Sequence, residues 1–398
     1  MINFRRRWRA WPEQGLFNPC LGPLPPDLAG HPLVRDAWAG IDPLRVWDAH
    51  VHLLGVGDGP QPPGAGFNGE ASGWWKLIAA VQRKFFLNAA CCEQSPADTA
   101  YVARLLALAE AMPPGHKMLL LALDGSYSVD GRRDAEHTHV WTGNDYCAAV
   151  ARANPSRFEW AASVHPYRPD AVAAIEQAKA GGARALKWIP SAQGIDPASP
   201  RCDEVYRTLA RLDLPLITHA GKERAAPGDD ELGNPLRLRR ALDHGVRVVV
   251  AHCASMGESR DLDVGEDGPS VDCFDLFERM MDEPAHVGRL FGDISAMTQS
   301  ARAGRPLRRI LERGGADGDW AGRLLNGTDY PIPGLMPLYS LGRLQEEGVL
   351  AAAAVGPLTA IRRHNPLLFD FVLKRHLSLG GQRLALSVFE TRRFFVAG

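Results

Sequence analysis

Arg45-Val46-Trp47-Asp48-Ala49-His50-Val51-His52 is an apolar run that closes on two histidines, and its reading decides the fold. Side chains alternate along an extended chain, so His50 and His52 project to one face, where a single divalent ion can reach both imidazoles. Three more polar residues end apolar runs of their own far downstream. His219 closes Leu214-Pro215-Leu216-Ile217-Thr218, His252 closes Arg247-Val248-Val249-Val250-Ala251, and Asp329 closes Leu324-Leu325-Asn326-Gly327-Thr328. Metal ligands carried by separate strands need a scaffold that gathers strand ends in one place.

The rest of the chain supplies one. Apolar runs predict strands at 45–52, 118–124, 158–165, 183–189, 214–219, 247–253, 289–294 and 323–328. Amphipathic segments between them predict helices at 95–111, 144–153, 170–180, 202–212, 235–244, 274–283 and 305–313, with another near 338–346. Glycines such as Gly181-Gly182, Gly245 and Gly314-Gly315 sit where helices should stop. Such alternation means an α/β protein with a parallel sheet. A doubly wound sheet would show five or six units and a Gly-x-Gly-x-x-Gly first turn, which Gly55, Gly57 and Gly59 do not spell. Eight units with polar residues at strand C-termini fit a (β/α)8 TIM barrel.

The barrel is expected over 45–378, preceded by an N-terminal arm (1–44) and followed by a C-terminal tail (379–398). The stretch from about 55 to 94 is too long for an ordinary connection. It carries Trp74-Trp75 and Phe85-Phe86 and reads either as a cover over the barrel mouth or as a helix packed on the rim.

Of 398 residues, 45% are apolar and 23% charged, with a formal charge of −1. That balance offers no bulk attraction for nucleic acid or anionic membranes. No apolar stretch approaches the ~18 residues of a membrane span. Arg5-Arg6-Arg7-Trp8-Arg9 reads as a solvated run, because Pro12-Glu13-Gln14 follow in place of a signal-peptide core. The seven cysteines are odd in number and show no zinc-ribbon spacing, so free thiols in a reducing, cytoplasmic compartment are expected. A small-molecule substrate is the expected partner, with no nucleic acid or membrane, and the chain could form a homo-oligomer.

A catalytic zinc usually takes three His, Asp or Glu ligands and leaves one position for water. His50, His52 and Asp329 supply that number, with strand eight beside strand one in a closed barrel. Asp329 could also accept the water's proton and return it to a leaving group.

The set Asp48-Ala49-His50-Val51-His52, Thr218-His219-Ala220-Gly221, Ala251-His252-Cys253 and Gly327-Thr328-Asp329-Tyr330-Pro331 resembles the amidohydrolase superfamily. More narrowly, it is similar to the amidohydrolase-related branch of TIM-barrel metal-dependent hydrolases, which also holds non-hydrolytic aromatic-acid decarboxylases. The resemblance covers about 45 to 375, with the motifs in the family's order on strands one, five, six and eight. It implies His50, His52 and Asp329 as metal ligands, and His219 as a ligand to the same ion or to a second. His252 would bind a second ion or polarise the substrate carbonyl, so Asp329 and His252 are the candidate catalytic residues. Lys187, closing Ala183-Arg184-Ala185-Leu186, stands where binuclear members carry a carboxylated bridging lysine. Its other reading is an ammonium paired with a pocket carboxylate or a substrate anion. The metal expected is zinc, as one or two ions, with manganese or iron as alternatives.

His165, Asp124 and Ser295 end or follow strands three, two and seven and are expected on the substrate side. Asp48 should lie a layer deeper, as a hydrogen-bonded carboxylate. Glu223 either holds a ligand or is exposed. No cluster of pocket arginines announces a phosphate or dicarboxylate, while Trp74, Trp75 and Trp188 suit an apolar substrate or simple core packing. These readings converge on a metal-dependent hydrolase using metal-activated water on an amide, ester or lactone carbonyl of a small organic molecule. The alternatives are a metal-dependent, non-hydrolytic decarboxylase of an aromatic or unsaturated acid, and a non-catalytic ligand-binding barrel.

Overall fold

The computed structural model describes residues 12–59, 64–67, 74–224, 226–265 and 267–396. The Arg5–Arg9 run lies outside them, as do the side chains of Trp74 and Trp75.

Eight strands carry the architecture: β1 Trp47–His52, β2 Lys117–Leu121, β3 Phe158–Ala161, β4 Leu186–Trp188, β5 Leu216–His219, β6 Val248–Ala251, β7 Leu290–Asp293 and β8 Leu324–Leu325. They pair in parallel in the orders β1-β2-β3 and β4-β5-β6-β7-β8. Backbone hydrogen bonds close both seams. Ala162 donates to Ala185 at 2.9 Å and Lys187 to Ala162 at 2.7 Å, joining β3 to β4. Across the other seam Ala49 donates to Asn326 at 3.0 Å, Asp329 to His50 at 2.8 Å and His52 to Tyr330 at 2.9 Å. The result is an α/β (β/α)8 barrel.

The strands are apolar on both faces because both are covered. Trp47, Ala49, Leu119, Leu121, Ala161, Ala185, Ile217, Val249 and Leu325 form one cluster drawn from around the ring, which is the barrel interior. Their neighbours Val248, Val250, Leu216 and Leu186 belong to the outer core against the helices. This register positions the site: two residues beyond Ala185 comes Lys187, and two beyond Ile217 comes His219. The tail seals the opposite end, where Phe395 stacks on Trp47 with ring centroids 6.0 Å apart.

Helices follow the strands as the periodicity predicts, at Ala97–Ala109, Asn144–Ala153, Ala171–Ala180, Asp203–Arg211, Cys273–Asp282 and Arg305–Arg313. Helix Cys273–Asp282 starts at an Asp272 carboxylate that accepts from the Phe274 N–H at 2.8 Å. The predicted helix at 235–244 is instead a 3-10 turn, Pro235–Leu238, leading into a short helix, Arg239–Asp243. Two long helices, Ala352–His364 and Pro366–His376, complete the outer layer.

The insertion after β1 crosses the barrel mouth. Its strand Ala65–Phe67 pairs antiparallel with Val140–Thr142, and its helix Trp74–Ala89 brings Gln82 and Phe86 to the central cavity. The N-terminal arm packs on that helix: Phe17 stacks on Phe85 at 5.1 Å, and the Asn18 N–H donates to Asn88 Oδ1 at 2.8 Å. The same packing joins Cys20 to Cys91 as a disulfide across 71 residues. The expectation of free thiols throughout is therefore corrected, since nothing in cysteine spacing reveals that the arm and the insertion meet. Cys92, Cys147, Cys202, Cys253 and Cys273 are free and buried.

Candidate metal centre

Three histidines at the barrel mouth are held from behind in the same way. His50 closes on Asp293 at the end of β7, with Nδ1 2.8 Å from Oδ2. Beyond β6, His252 places Nδ1 3.0 Å from the Ser295 carbonyl and 2.9 Å from its hydroxyl. On β5, His219 Nδ1 lies 3.2 Å from Glu223 Oε2, while its Nε2 is buried and without a partner among the described residues. Each Nδ1 is thus engaged, which leaves Nε2 to the cavity, the arrangement that orients metal-binding imidazoles.

Asp329 meets these nitrogens. Its Oδ1 lies 3.1 Å from His52 Nε2 and 3.6 Å from His50 Nε2, and its Oδ2 lies 3.8 Å from His252 Nε2. One ligand atom each from His50, His252 and Asp329 falls within 4.8 Å of the others. Lys187 is buried on β4 with Nζ 3.4 Å from His50 Nε2, and among the described residues it forms no ion pair with a carboxylate.

Backbone geometry delivers these groups. His252, Cys253 and Ala254 take φ of 55°, 49° and 49° in succession, and Asp329 takes φ of 62°. Non-glycine residues seldom adopt this left-handed conformation, and such strain concentrates at functional sites. Gly327 lets β8 approach β1, since a Cβ there would stand 2.7 Å from the Cβ of His50. Below the site, Asp48 accepts from the Thr328 N–H at 2.8 Å and the Thr328 hydroxyl at 2.6 Å, tying the two strands together. Burial raises the Asp48 pKa to about 7.

Burial also lowers the pKa of His50, of His252 and of His219, the last to about 4, so the rings are neutral at pH 7 with lone pairs available. Burial works against ionisation of Asp329, but His252, the hydrogen bond from His52 and His50 outweigh it and hold the carboxyl well below its ordinary range. Burial lowers the Lys187 pKa. Neutral imidazoles beside an ionised carboxylate are the protonation states a divalent ion requires, and His219 Nε2 is an orphan that such an ion would satisfy. The residues therefore fit a metal.

The surrounding cavity, of about 340 Å³, is lined by His50, His52, Lys187, His219, His252 and Asp329 and by apolar side chains. The three other expected residues lie elsewhere. His165 is fully buried, with Nε2 3.0 Å from the Gln193 carbonyl and Nδ1 accepting from the Tyr167 N–H, and it does not line this cavity. Asp124 pairs with Arg168 at 3.0 Å on a neighbouring cavity. Ser295 stands behind His50 and His252, so its contacts are with the rings that face the cavity. Trp188 faces the core, its indole N–H donating to the Val164 carbonyl at 2.8 Å.

Three residues of the site escaped the sequence reading: Asp293, which stands behind the histidines, and two arginines that line the cavity. Asp293 holds both His50 and the backbone N–H of His252, the latter at 3.2 Å, and as an acid ending an apolar run it carried the same signal as Asp329. Arg302, on the loop after β7, reaches the cavity from a position without any periodic signal, and Arg224 also lines it. The cavity is not free of arginines.

No curated protein matches the chain. Among solved structures, it is similar to an uncharacterized TIM-barrel protein from Bordetella bronchiseptica, with 15% identity over 78% of this chain and 99% of that one and a TM-score of 0.48. A candidate 2-pyrone-4,6-dicarboxylic acid hydrolase from Pseudomonas putida shares 14% identity over 82% and 98%, at a TM-score of 0.43. The 5-carboxyvanillate decarboxylase of Novosphingobium aromaticivorans, solved with manganese, shares 13% over 88% and 95%, at 0.41. The model of the Amidohydrolase family matches residues 47–353, from the first residue of β1 to beyond β8, and the chain belongs to that family.

Proposed function

We propose that this protein is a metal-dependent hydrolase of a small organic molecule with an amide, ester or lactone carbonyl. The observation that carries the reading is the convergence of Asp329 with the cavity-facing Nε2 atoms of His50 and His252 at the mouth of a closed barrel, with His52 and the unpartnered Nε2 of His219 beside them. His50, His52 and Asp329 would hold the ion, with His219 on the same ion or a second. Once bound there, a zinc or manganese ion would supply acidified water and Lewis-acid polarisation of a carbonyl.

The chain's own groups do the rest. Asp329, ionised and 3.1 Å from His52, takes the proton of the attacking water and returns it to the departing nitrogen or oxygen. His252, neutral and held through Nδ1 by Ser295, presents its Nε2 lone pair to the cavity, where it would serve a second ion; polarising the substrate carbonyl would require its proton on Nε2. Lys187 would help hold metal only if carboxylated; as an unmodified lysine it is a buried amine beside His50. The insertion helix limits water entry through Gln82 and Phe86.

The test is a panel of lactones, esters and amides set against aromatic and unsaturated carboxylic acids, assayed with metal-loaded protein and with Asp329→Asn. Hydrolysis should fall by roughly 10²–10⁴-fold in the variant, the range of a lost general acid–base group, while the fold persists. Full activity in Asp329→Asn overturns the mechanism. Carbon dioxide release without water incorporation moves the protein to the decarboxylase reading, which the two buried cavity cations, Lys187 and Arg302, also suit.

A further inference from the structure

Arg302 is 7% exposed and lines the metal cavity from the loop after β7. Its Nη1 donates to the Ser255 hydroxyl at 2.9 Å, which fixes the guanidinium plane. Its Nε is buried and has no hydrogen-bond partner, and no ion pair with a carboxylate forms among the described residues. Burying a cation that no carboxylate pairs with directly is costly.

The charges around it point the same way. Lys187 and Arg302 are buried against three carboxylates, Asp293, Asp329 and Glu223, of which Asp293 is committed to His50 and Glu223 to His219. A divalent ion at Asp329 would reverse the sign of this wall and leave Arg302 facing a positive neighbourhood. A substrate anion restores the balance. The remaining lining, including Phe67, Phe86, Leu123, Ile189 and Leu335, is apolar, and about 340 Å³ accommodates a body of single-ring size.

Resting on the reading of this cavity as the substrate site, we propose that Arg302 is its anion-docking residue and that the substrate is a carboxylic acid on an apolar body. The guanidinium offers a planar fork that matches a carboxylate in two parallel hydrogen bonds, and Ser255 holds the fork in place. Arg302 is then a specificity-determining residue, separate from the metal ligands.

The probes are benzoate and its neutral counterpart benzamide, titrated calorimetrically into metal-free and zinc-loaded protein. Benzoate should bind at least about tenfold more tightly than benzamide to the zinc-loaded form, and more tightly by a smaller margin to the metal-free form, whose wall keeps a net negative charge. Arg302→Met should erase that preference while leaving zinc affinity unchanged. Arg302→Lys, which keeps the charge and is the safer fold, should retain only part of it. Equal binding of acid and amide by the wild type, binding of neither, or a preference that survives in Arg302→Met overturns the proposal. A lysine variant indistinguishable from wild type overturns the forked docking. The metal-free arm separates the two ideas: loss of zinc affinity removes the hydrolase reading and leaves the acid preference, whereas loss of the preference removes only the role of Arg302.

Discussion

Replacing Asp293 with asparagine should weaken metal binding without unfolding the barrel. The carboxylate is 1% exposed and divides its work. Oδ2 lies 2.8 Å from His50 Nδ1, while Oδ1 accepts from the Ser295 N–H at 2.9 Å, the His252 N–H at 3.2 Å and the Ser295 hydroxyl. Three donors require that the asparagine carbonyl take the Oδ1 position. Its NH2 must then point at His50 Nδ1, donor against donor. His50 relieves this only by moving its proton to Nε2, which removes the lone pair from the cavity. The charge-assisted bond lost is worth about 1.5–3 kcal/mol, or roughly a tenfold to hundredfold loss of metal affinity. Competition against a chromophoric chelator measures that loss, and 15N spectra of the histidine rings report the tautomer. An unchanged zinc affinity with His50 still protonated on Nδ1 would refute the claim that Asp293 orients the ring.

Two further predictions test the barrel seam and the core. Gly327→Ala places a methyl 2.7 Å from the His50 Cβ, so it should destabilise the fold by about 1–3 kcal/mol and displace His50; urea unfolding with wild-type stability would show that the seam has slack. His116 is buried, and burial, aided by Arg157, lowers its pKa to about 3. Above pH ~6.5 neither the folded nor the unfolded chain binds this proton, and below it only the unfolded chain does. Stability should therefore fall by about 1.4 kcal/mol per pH unit from this group as pH drops toward 3, and His116→Gln should lose about 2 kcal/mol less than wild type between pH 7 and 5. Equal losses in the two proteins would assign the acid sensitivity to other groups.

What could be read from the chain divides along a physical line. Strands β5, β6 and β8 announced themselves as apolar runs because both faces of a parallel barrel are buried, and His219 and Asp329 were visible because each ends such a run. Asp293 ends its run equally, and Ser295, two residues on, contacts the same two rings. The reading failed where a loop intervenes. The predicted third strand ran to His165, but β3 stops at Ala161, and the turn that follows aims the imidazole at the Gln193 carbonyl instead of the cavity. Arg302, and the disulfide that draws Cys20 to Cys91, depend wholly on how connecting segments pack, and no local periodicity encodes that. Strand register, a local property, brings His50, His52, Lys187 and His219 to the cavity, and short turns after β6 and β8 add His252 and Asp329. The packing of the inserted strand and helix and of the loop after β7, which is not local, brings Phe67, Phe86 and Arg302 to the same cavity. On the proposed reading, chemistry and substrate are written in two different parts of the chain, and a change in the connecting segments alone would redirect the second without touching the first.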